Sequence, residues 1–509
     1  MAENGQGDPL VQPWDRYNQE LVARVHPPDW RNPQPAPSYN LVVVGGGTAG
    51  LVCAAGAAGL GAKVALVERH LLGGDCLNFG CVPSKALLSA AKAAATVKGA
   101  GSFGVQGVEG AHSDFGRVMA RMRRLRAEIA SNDSAARFQA LGVDVFIGDG
   151  AFVDGRTLDV AGARLRFQKA LIATGARPAA PAIPGLEQVD YLTNESLFSL
   201  SELPPRMAIV GAGAIGCEIA QAFARFGSQV ILIENLHGLL PKEERDAAQI
   251  VQQALERDGM RLLCCGRDLS LSPVKGDVRL RIESHGYNYD ETVEELLVAV
   301  GRSPNIEGLG LESAGVAYDR KGVTVNDFLQ TSNPRIYAAG DVCSRYQFTH
   351  AADFMARLVI RNALFFGRAR FSALTIPWCT YTDPEIARVG LSAQQAEERG
   401  IAIDTFERPL AEIDRARLDE RTEGIVRVHV RRGTDRILGA TVVAANAGDL
   451  IAPLTQAMTH KLGLKKLADT VQPYPTQAEA IRQLGDLYNR SRLTPRTKTL
   501  FTRLMAWRR

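Results

Sequence analysis

Residues 41–50 read LVVVGGGTAG, and residues 63–68 read KVALVE. Four consecutive apolar residues predict a buried strand, and the spacing GxGxxG predicts a tight turn into a helix. Glycines in such a turn let backbone N–H groups approach a pyrophosphate at the N-terminus of the helix. Glu68 ends the second strand, where an acid accepts hydrogen bonds from ribose hydroxyls. The stretch therefore predicts a dinucleotide-binding β-α-β unit whose three glycines are Gly45, Gly47 and Gly50.

The same pattern returns in residues 207–216, MAIVGAGAIG, and in residues 229–234, QVILIE. Its first glycine and its terminal acid both lie 166 residues after their counterparts in the first unit. The alternative is two glycine-rich turns in an ordinary α/β protein. Strands, helices and acids in register favour two dinucleotide sites instead. The second site is formed by Gly211, Gly213, Gly216 and Glu234.

A pair of cysteines follows the first dinucleotide unit. Residues 73–85 read GGDCLNFGCVPSK and place Cys76 and Cys81 five positions apart. Thiols at this spacing, with glycine and proline bending the chain, can close a small disulfide loop. Electrons from a bound redox cofactor can enter a disulfide that lies beside it. The pair therefore predicts redox chemistry.

Composition excludes several classes of protein. A chain of 509 residues with 46% hydrophobic and 22% charged residues predicts two to four globular domains. The net charge of +4 comes from residues 487–509, which hold seven basic residues and no acid, so the rest carries −3. We expect no nucleic-acid partner. Eight cysteines do not suggest a secreted disulfide framework, and residues 1–5 lack signal-peptide character, so we predict a cytoplasmic protein.

Five motifs together resemble the FAD-dependent pyridine nucleotide–disulfide oxidoreductases over residues 40–485. They are the repeated GxGxxG, GGDCLNFGCVPSK, ATGARP (173–178), GRSPN (301–305) and AAGD (338–341). The resemblance implies an α/β fold with two Rossmann-like dinucleotide-binding domains, for FAD and NAD(P)H, and a C-terminal α+β dimerisation domain. It also implies a homodimer that passes electrons to a small-molecule acceptor.

The predicted domains follow this family organisation. They are an N-terminal arm (1–38), a first FAD-binding part (39–185), an NAD(P)H-binding domain (186–301), a second FAD-binding or central part (302–370), a dimer-interface domain (371–486) and a basic C-terminal tail (487–509).

The resemblance also implies roles for single residues. Cys81 matches the thiol next to the flavin, and Cys76 matches the thiol that meets substrate. Lys85 resembles the lysine beside the flavin, and Glu218 resembles its ion-pair partner. The implied FAD-binding residues are Gly45, Gly47, Gly50, Glu68, Gly74, Thr174, Gly175, Arg302 and Asp341; those for NAD(P)H are Gly211, Gly213, Gly216, Glu234 and Gly301. Asp75 departs from the threonine of many members, and we expect a local change in hydrogen bonding.

Glu234 favours NADH over NADPH, because its carboxylate would repel a 2′-phosphate. The next arginine downstream is Arg245, too distant in sequence to favour the phosphate. NADPH stays as the alternative coenzyme.

Residues 474–479, YPTQAE, indicate the branch of the family. Most disulfide reductases have His-Pro-x-x-x-Glu here, and the histidine is a base near neutral pH. This chain has Tyr474 and Glu479, and a phenol with a pKa of about 10 is a poor base. Tyrosine here resembles the mercuric reductase branch, as does Tyr191. Because thiolates suit soft metals, Hg(II) is a candidate acceptor.

Two features of the mercury-reducing branch are missing, namely a C-terminal vicinal cysteine pair and an N-terminal CxxC domain. Cys264 and Cys265 are vicinal but belong to residues 260–265, MRLLCC, which read as a strand with buried structural thiols. We therefore predict no resident metal site. The other cysteines outside the redox pair read as small core residues.

Other acceptors and roles stay open. An enzyme of this type could instead reduce a small disulfide, lipoamide or an oxidant such as hypothiocyanite. A redox-sensing or membrane-docking flavoprotein is the non-enzymatic alternative. The tail could form a basic amphipathic helix, which suits an anionic membrane surface, although packing on its own subunit or the dimer mate is favoured.

Overall fold

The computed structural model describes residues 11–108 and 110–509. They divide into two units, each formed by three segments of the sequence. The first unit holds the described residues of Met1–Gly211, Ala222–Ile233 and Gly266–Leu374, and the second holds Ala212–Gln221, Glu234–Cys265 and Thr375–Arg509. The first ten residues of the predicted N-terminal arm lie outside the described residues, and the predicted domain boundaries stay predictions.

Sixteen α-helices occur in the described residues. In chain order they are α1 (Arg16–Val25), α2 (Thr48–Gly59), α3 (Gly74–Asn78), α4 (Cys81–Gly99), α5 (Phe115–Ile129), α6 (Ala135–Ala140), α7 (Asn194–Leu197), α8 (Ala214–Phe226), α9 (Arg245–Arg257), α10 (Thr349–Leu364), α11 (Ala393–Glu398), α12 (Asp414–Leu418), α13 (Ala447–Thr459), α14 (Leu464–Ala468), α15 (Glu479–Ser491) and α16 (Pro495–Trp507).

The strands of the same residues number twenty-three. They are β1 (Tyr39–Val44), β2 (Val64–Glu68), β3 (Asp144–Ile147), β4 (Gly150–Asp154), β5 (Thr157–Val160), β6 (Ala163–Ile172), β7 (Ala176–Pro178), β8 (Arg206–Val210), β9 (Gln229–Ile233), β10 (Met260–Leu263), β11 (Arg267–Val274), β12 (Asp277–Ser284), β13 (Tyr287–Val293), β14 (Glu295–Val298), β15 (Arg302–Pro304), β16 (Tyr318–Asp319), β17 (Gly322–Val323), β18 (Ile336–Ala338), β19 (Pro377–Thr380), β20 (Glu385–Gly390), β21 (Ile403–Pro409), β22 (Ile425–Arg431) and β23 (Ile437–Ala444).

The first unit contains a seven-stranded sheet in the order β3-β2-β1-β6-β5-β4, with β18 also paired to β6. Strands β1, β2, β3, β6 and β18 run parallel, and β4 and β5 add an antiparallel hairpin. Along β1, Leu41 and Val43 enter one hydrophobic core while Val42 and Val44 enter another. Because both faces are buried, residues 41–44 of this strand are continuously apolar, as the sequence predicts.

Helix α1 lies in the stretch predicted as an arm without periodicity. Leu21, Val22 and Val25 on this helix belong to the core of the first unit. The buried Arg126 also ties the helix down, because its Nη2 donates to Asn18 Oδ1 at 2.5 Å. Residues 16–25 are therefore an integral part of the dinucleotide-binding fold.

A second parallel sheet of the first unit pairs β8 with β9 and with β14. Its central strand ends at Val210, immediately before the second glycine-rich turn, and the neighbouring strand ends at Ile233, before Glu234. The antiparallel strands β11, β12 and β13 form a separate three-stranded sheet. The two predicted dinucleotide-binding motifs thus both follow the carboxyl ends of parallel strands.

The second unit contains a five-stranded antiparallel sheet in the order β19-β20-β23-β22-β21. Helix α13 packs on β20 and β23, and α15 packs on β21 and β22. Val426, Val428 and Val442 are fully buried in the core between them. The predicted α+β character of the C-terminal region is confirmed.

Helix α16 forms in the basic tail, where the sequence predicts an amphipathic helix. No residue along it is buried, and the apolar Leu500 and Trp507 are exposed. Its packing against a dimer mate stays a prediction. Within the described part of the chain, no helix combines the length and hydrophobicity needed to span a bilayer.

Candidate active site

The first glycine-rich turn requires glycine for steric reasons. Gly45 has a φ of +107°, and its N–H donates to the carbonyl oxygen of Val67 at 2.8 Å. A Cβ on Gly45 would stand 2.3 Å from the carbonyl oxygen of Ala173, and one on Gly50 would stand 1.8 Å from that of Gly45. Helix α2 therefore begins directly after β1, and its first N–H groups have no partner within the helix. This is a turn that can bind a pyrophosphate.

Glu68 is held at the end of β2 by two backbone groups. Its Oε2 accepts the N–H of Gly46 at 2.6 Å, and its Oε1 accepts the N–H of His70 at 2.7 Å. Each carboxylate oxygen can accept a further hydrogen bond. The Glu68 carboxylate, which is predicted to bind the ribose, is thus already oriented by the protein backbone.

The backbone before the cysteine pair packs directly on the glycine-rich turn. Gly74 has a φ of +57°, and a Cβ on it would stand 2.6 Å from the Cα of Gly47. Helix α3 begins at Gly74 and carries Cys76. Because neither Gly47 nor Gly74 has a side chain, the two backbone segments can pack together. This packing places the cysteine pair close to the predicted dinucleotide site.

The two cysteines occupy consecutive helices. Cys76 lies in α3 and is half-buried, whereas Cys81 is the first residue of α4 and is exposed; both are free thiols. Cys81 Sγ lies 3.4 Å from Oγ1 of Thr349, the first residue of α10. Thr349 is 268 positions away in the sequence, and no motif pointed to it.

The pKa of Cys81 is lowered to about 6, chiefly because the Cys76 thiol donates a hydrogen bond to it. The Thr349 hydroxyl and the positive charge of Lys85 act in the same direction, while partial desolvation by neighbouring groups and the negative charge of Asp75 oppose them. The position of Cys81 at the N-terminus of a helix also favours a thiolate. The same hydrogen bond raises the pKa of Cys76, since that thiol is the donor. At neutral pH the reduced pair is therefore a Cys81 thiolate beside a Cys76 thiol.

Asp75 joins the cysteine loop to two other segments. Its Oδ2 lies 3.2 Å from Arg302 Nη1, and its Oδ1 accepts a hydrogen bond from Asn194 Nδ2 at 2.8 Å. Asn194 also donates to the carbonyl oxygen of Phe79 at 3.2 Å, between the two cysteines. Asp75 thus makes an ion pair with Arg302 and a hydrogen bond with the Asn194 amide.

Asp341 and Arg302 fit the flavin cofactor. Burial raises the pKa of Asp341 to about 6, although Arg302 opposes this, with Nε 3.5 Å from its Oδ2. Arg302 Nε is buried and makes no hydrogen bond within the described part of the chain. The Asp341 carboxyl beside this buried donor suits a ligand rich in hydroxyl and carbonyl groups, such as FAD.

The motifs that contain Thr174 and Arg302 lie together. Thr174 Oγ1 donates to the carbonyl oxygen of Asn305 at 2.7 Å, and the N–H of Asn305 donates to that of Gly175 at 2.9 Å. Strands β7 and β15 pair here, and Arg302 Nη2 donates to the carbonyl oxygen of Ala176 at 2.6 Å. The ATGARP and GRSPN motifs therefore form one paired element.

The second glycine-rich turn repeats the first. Gly211 has a φ of +107°, and a Cβ on it would stand 2.5 Å from the carbonyl oxygen of Ala299. Glu234 Oε2 accepts the N–H of Ala212 at 3.0 Å, and its Oε1 accepts that of Leu236 at 3.0 Å. A Cβ on Gly213 would meet open space, which leaves room for a ligand. Gly216 lies in α8, and Gly301 has a φ of +140°.

Lys85 and Glu218 lie in different units. Lys85 lies one turn into α4 of the first unit. Glu218 is buried on α8 in the second unit, and its Oε1 accepts the N–H of Tyr381 at 2.9 Å. Their ion pair stays a prediction. Tyr191, half-buried in the first unit, precedes Leu192, whose backbone bonds to β14.

Tyr474 and Glu479 both lie in the second unit. The Tyr474 side chain is exposed, and its hydroxyl donates to Asp414 Oδ2 at 3.0 Å. This hydrogen bond, with the negative charge of Asp414, raises the pKa of the phenol. Glu479 begins α15 and accepts a hydrogen bond from Arg482 Nη2 at 3.1 Å.

Comparisons with known proteins agree with this architecture. Residues 39–356 match the family model of the pyridine nucleotide-disulphide oxidoreductases, and residues 376–484 match the dimerisation domain of that family. The second match supports a homodimer.

Several relatives span nearly the same length. The chain is 36% identical over 445 residues to mercuric reductase of Staphylococcus aureus, covering 87% of this chain and 81% of the relative. It is 32% identical over 448 residues to dihydrolipoyl dehydrogenase of Chlamydia muridarum, covering 87% and 95%. The solved structure of the HOCl-induced flavoprotein disulfide reductase RclA from Escherichia coli has a TM-score of 0.78 and 30% identity, covering 88% of this chain and all of that one. The chain therefore belongs to the pyridine nucleotide–disulphide oxidoreductases, a family of NAD(P)H-dependent enzymes that use FAD.

Proposed function

We propose that this chain reduces Hg(II) or a similarly thiol-reactive acceptor, with NADH as the electron donor and Cys76 and Cys81 as the redox pair. The observation that carries the proposal is Tyr474. Its hydroxyl donates a hydrogen bond to Asp414, and its pKa is raised. A phenol in this state does not accept the proton that a dithiol substrate must lose.

The thiols provide the chemistry for a soft metal. FAD, when bound, carries the two electrons of NADH to the cysteine pair. The Cys81 thiolate, stabilised by Cys76, Thr349 and Lys85, is one soft ligand, and the half-buried Cys76 becomes the second after losing its proton. Two electrons reduce Hg(II) to Hg(0), and NADH leaves as NAD⁺ with release of one proton.

A panel of acceptors tests the proposal. The FAD-loaded enzyme is mixed anaerobically with NADH and then with Hg(II), glutathione disulfide, lipoamide or hypothiocyanite. We expect Hg(II) to give the highest turnover and the disulfides to give little. High turnover of the wild-type enzyme with lipoamide would contradict the proposal.

Substitution of Tyr474 isolates the residue that carries the proposal. Tyr474→His introduces a base of suitable pKa, so turnover of lipoamide or glutathione disulfide should rise about tenfold or more. Tyr474→Phe is the matched control and should give no such gain. Equal effects of the two substitutions would remove the distinction on which the choice of acceptor rests.

A second candidate acceptor is an oxidant or a small disulfide. The similarity to the HOCl-induced disulfide reductase RclA supports it. Hypothiocyanite turnover exceeding that with Hg(II) would favour this candidate. A redox sensor would instead reduce its pair once per NADH, with little steady-state turnover of any acceptor.

The preference for NADH rests on Glu234. Both of its oxygens accept backbone N–H groups, so its carboxylate is held in position at the end of β9. We expect Glu234→Ser to reduce the ratio of kcat/KM for NADH over NADPH about tenfold, or ~1.4 kcal/mol. The corresponding Glu68→Ser change should lower FAD content and leave this ratio unchanged. A wild-type preference for NADPH would refute the assignment.

A further inference from the structure

Three potential metal ligands lie together in the second unit, apart from the residues assigned to the redox pair. They are the exposed His237, the buried Cys264 and the half-buried Cys265. One ligand atom of each residue lies within 4.8 Å of the others. The Sγ of Cys265 and the Nδ1 of His237 are 3.6 Å apart.

The backbone explains how two consecutive cysteines reach one histidine. The sequence suggests a strand through residue 265, but β10 ends at Leu263. Side chains that follow one another in a strand point to opposite faces. Cys265 has a φ of +55°, in the left-handed region that residues other than glycine rarely adopt, and it breaks this alternation. A strained backbone conformation at a residue with a reactive side chain suggests a functional site.

Backbone hydrogen bonds hold the histidine loop against the cysteines. The N–H of Glu234 donates to the carbonyl oxygen of Leu263, and the N–H of Cys265 donates to that of Leu236, both at 3.0 Å. The two bonds flank Cys264 on one segment and Asn235 on the other, and His237 follows directly after Leu236. The three side chains are therefore positioned by paired backbone segments rather than by a flexible loop.

The geometry suits a tetrahedral metal ion. Zinc binds thiolates at about 2.3 Å and imidazole at about 2.0 Å, so its sulfur and nitrogen ligands stand about 3.6 Å apart. The observed separation between Cys265 and His237 matches this value. Two thiolates and one imidazole are also typical of sites that select d¹⁰ cations over Mg²⁺ or Ca²⁺.

We propose that His237, Cys264 and Cys265 form a binding site for Zn(II) or a d¹⁰ cation of similar softness. Such an ion would connect the loop after β9 to the end of β10 and stabilise both segments. The second unit supplies three protein ligands to this site. It departs from the sequence-based interpretation of both thiols as core residues.

Metal retention by the FAD-loaded protein tests the proposal. The experiment uses a Cys76→Ser/Cys81→Ser background, so that the redox pair cannot bind the probe. Under reducing conditions and after dialysis with Zn(II), this protein should retain about one zinc per chain. Co(II) should give the absorption of a thiolate-bound tetrahedral ion at wavelengths beyond those of oxidised flavin.

Variants of the cluster identify the ligands. His237→Ala and Cys264→Ser, each in the same background, should lose the retained zinc and the cobalt absorption. Cys379→Ser replaces a half-buried thiol of the same unit outside the cluster and should retain both. Unchanged circular dichroism of the metal-free proteins shows that each variant is folded, and His237 is exposed, so its replacement should be tolerated.

Three outcomes would overturn the proposal. They are no zinc retained by the background protein, equal retention in Cys264→Ser, and a Cys264–Cys265 disulfide in protein isolated under thiol-blocking conditions. None of these outcomes bears on the acceptor of the Cys76–Cys81 pair. The proposed function and the metal site can therefore fail independently.

Discussion

The two glycine-rich turns have nearly the same backbone but different reactive side chains after them. Gly45 and Gly211 both have a φ of +107°, and each donates its N–H to the last apolar residue of the neighbouring strand at 2.8 Å. Glu68 and Glu234 each accept two backbone N–H groups. The shared geometry is what a bound pyrophosphate and ribose require.

The difference between the turns lies in the segments that follow. After the first, Gly74 packs on Gly47 and leads into the helix that carries Cys76. After the second, the chain passes to His237, which lies beside Cys264 and Cys265. The backbone geometry of each turn suits a dinucleotide, whereas the thiol chemistry depends on the segments attached to each turn.

Replacing the first glycine of each turn should have the largest effect. In Gly45→Ala and Gly211→Ala the new Cβ would stand 2.3 and 2.5 Å from a backbone carbonyl oxygen. Each should lower the free energy of unfolding by about 2–4 kcal/mol. Gly45→Ala should also lose FAD, while Gly211→Ala should keep FAD and lose its rapid reduction by NADH. Flavin content, denaturant unfolding and stopped-flow reduction measure these outcomes.

Gly213→Ala is the control for the steric explanation. Its Cβ would meet open space, so the free energy of unfolding should be unchanged while NADH binding weakens. If Gly45→Ala kept its full FAD content, the first turn would tolerate a Cβ that its backbone geometry excludes. The steric explanation would then be wrong for that turn.

The pH dependence of Cys81 should give the next largest effect. Because its pKa is about 6, the thiolate predominates above that pH and is protonated as the pH falls through it. The long-wavelength absorption of a thiolate beside oxidised flavin should decline over the same range in the NADH-reduced enzyme. Cys76→Ala removes the main hydrogen bond to the thiolate, so the pKa of Cys81 should rise in that variant.

Cys81→Ser tests which thiol produces the absorption. The band should be absent from this variant at every pH. A band that persists would mean that Cys76, rather than Cys81, is the thiol next to the flavin. Cys264→Ser, which alters a thiol after the second turn, should leave the titration unchanged.

Asp75 should have the smallest effect. Its negative charge opposes the lowered pKa of Cys81 and is the smallest of the main contributions. Asp75→Thr and Asp75→Asn should therefore both lower the pKa of Cys81, by less than Cys76→Ala raises it. Asp75→Asn keeps an oxygen that can accept from Asn194 and so separates charge from hydrogen bonding. A raised pKa in either variant would contradict this role.

Part of the site could be predicted because the local backbone geometry restricts which residue types can occupy it. Gly45, Gly50 and Gly211 stand where a Cβ would meet a backbone carbonyl oxygen, so the backbone itself demands their residue type. The cysteine pair was predictable because its two members lie within one short loop. The cysteine loop lies beside Gly47 because Gly74, a glycine of the same GGDCLNFGCVPSK motif, packs against it.

Other features of the structure had no recognisable signal in the sequence. Helix α1 lies in a stretch where polar and proline residues obscured the periodicity of its three core positions. No motif contains Asn194, yet it bonds to Asp75 and to Phe79. Cys264 and Cys265 extended an apolar run and were interpreted as strand residues because the left-handed turn at Cys265 has no marker in the sequence.

The two dinucleotide units, the redox pair and the family could be predicted from the sequence, because every motif behind them consists of residues that are close in the chain. The surroundings of the thiols could not be predicted, because they are formed by residues that are distant in the sequence. Thr349 reaches Cys81 across 268 positions, and Arg302 reaches Asp75 from β15. The physical reason is that a turn restricts residue type through its own backbone, whereas a long-range contact depends on packing that any polar residue of suitable length could satisfy.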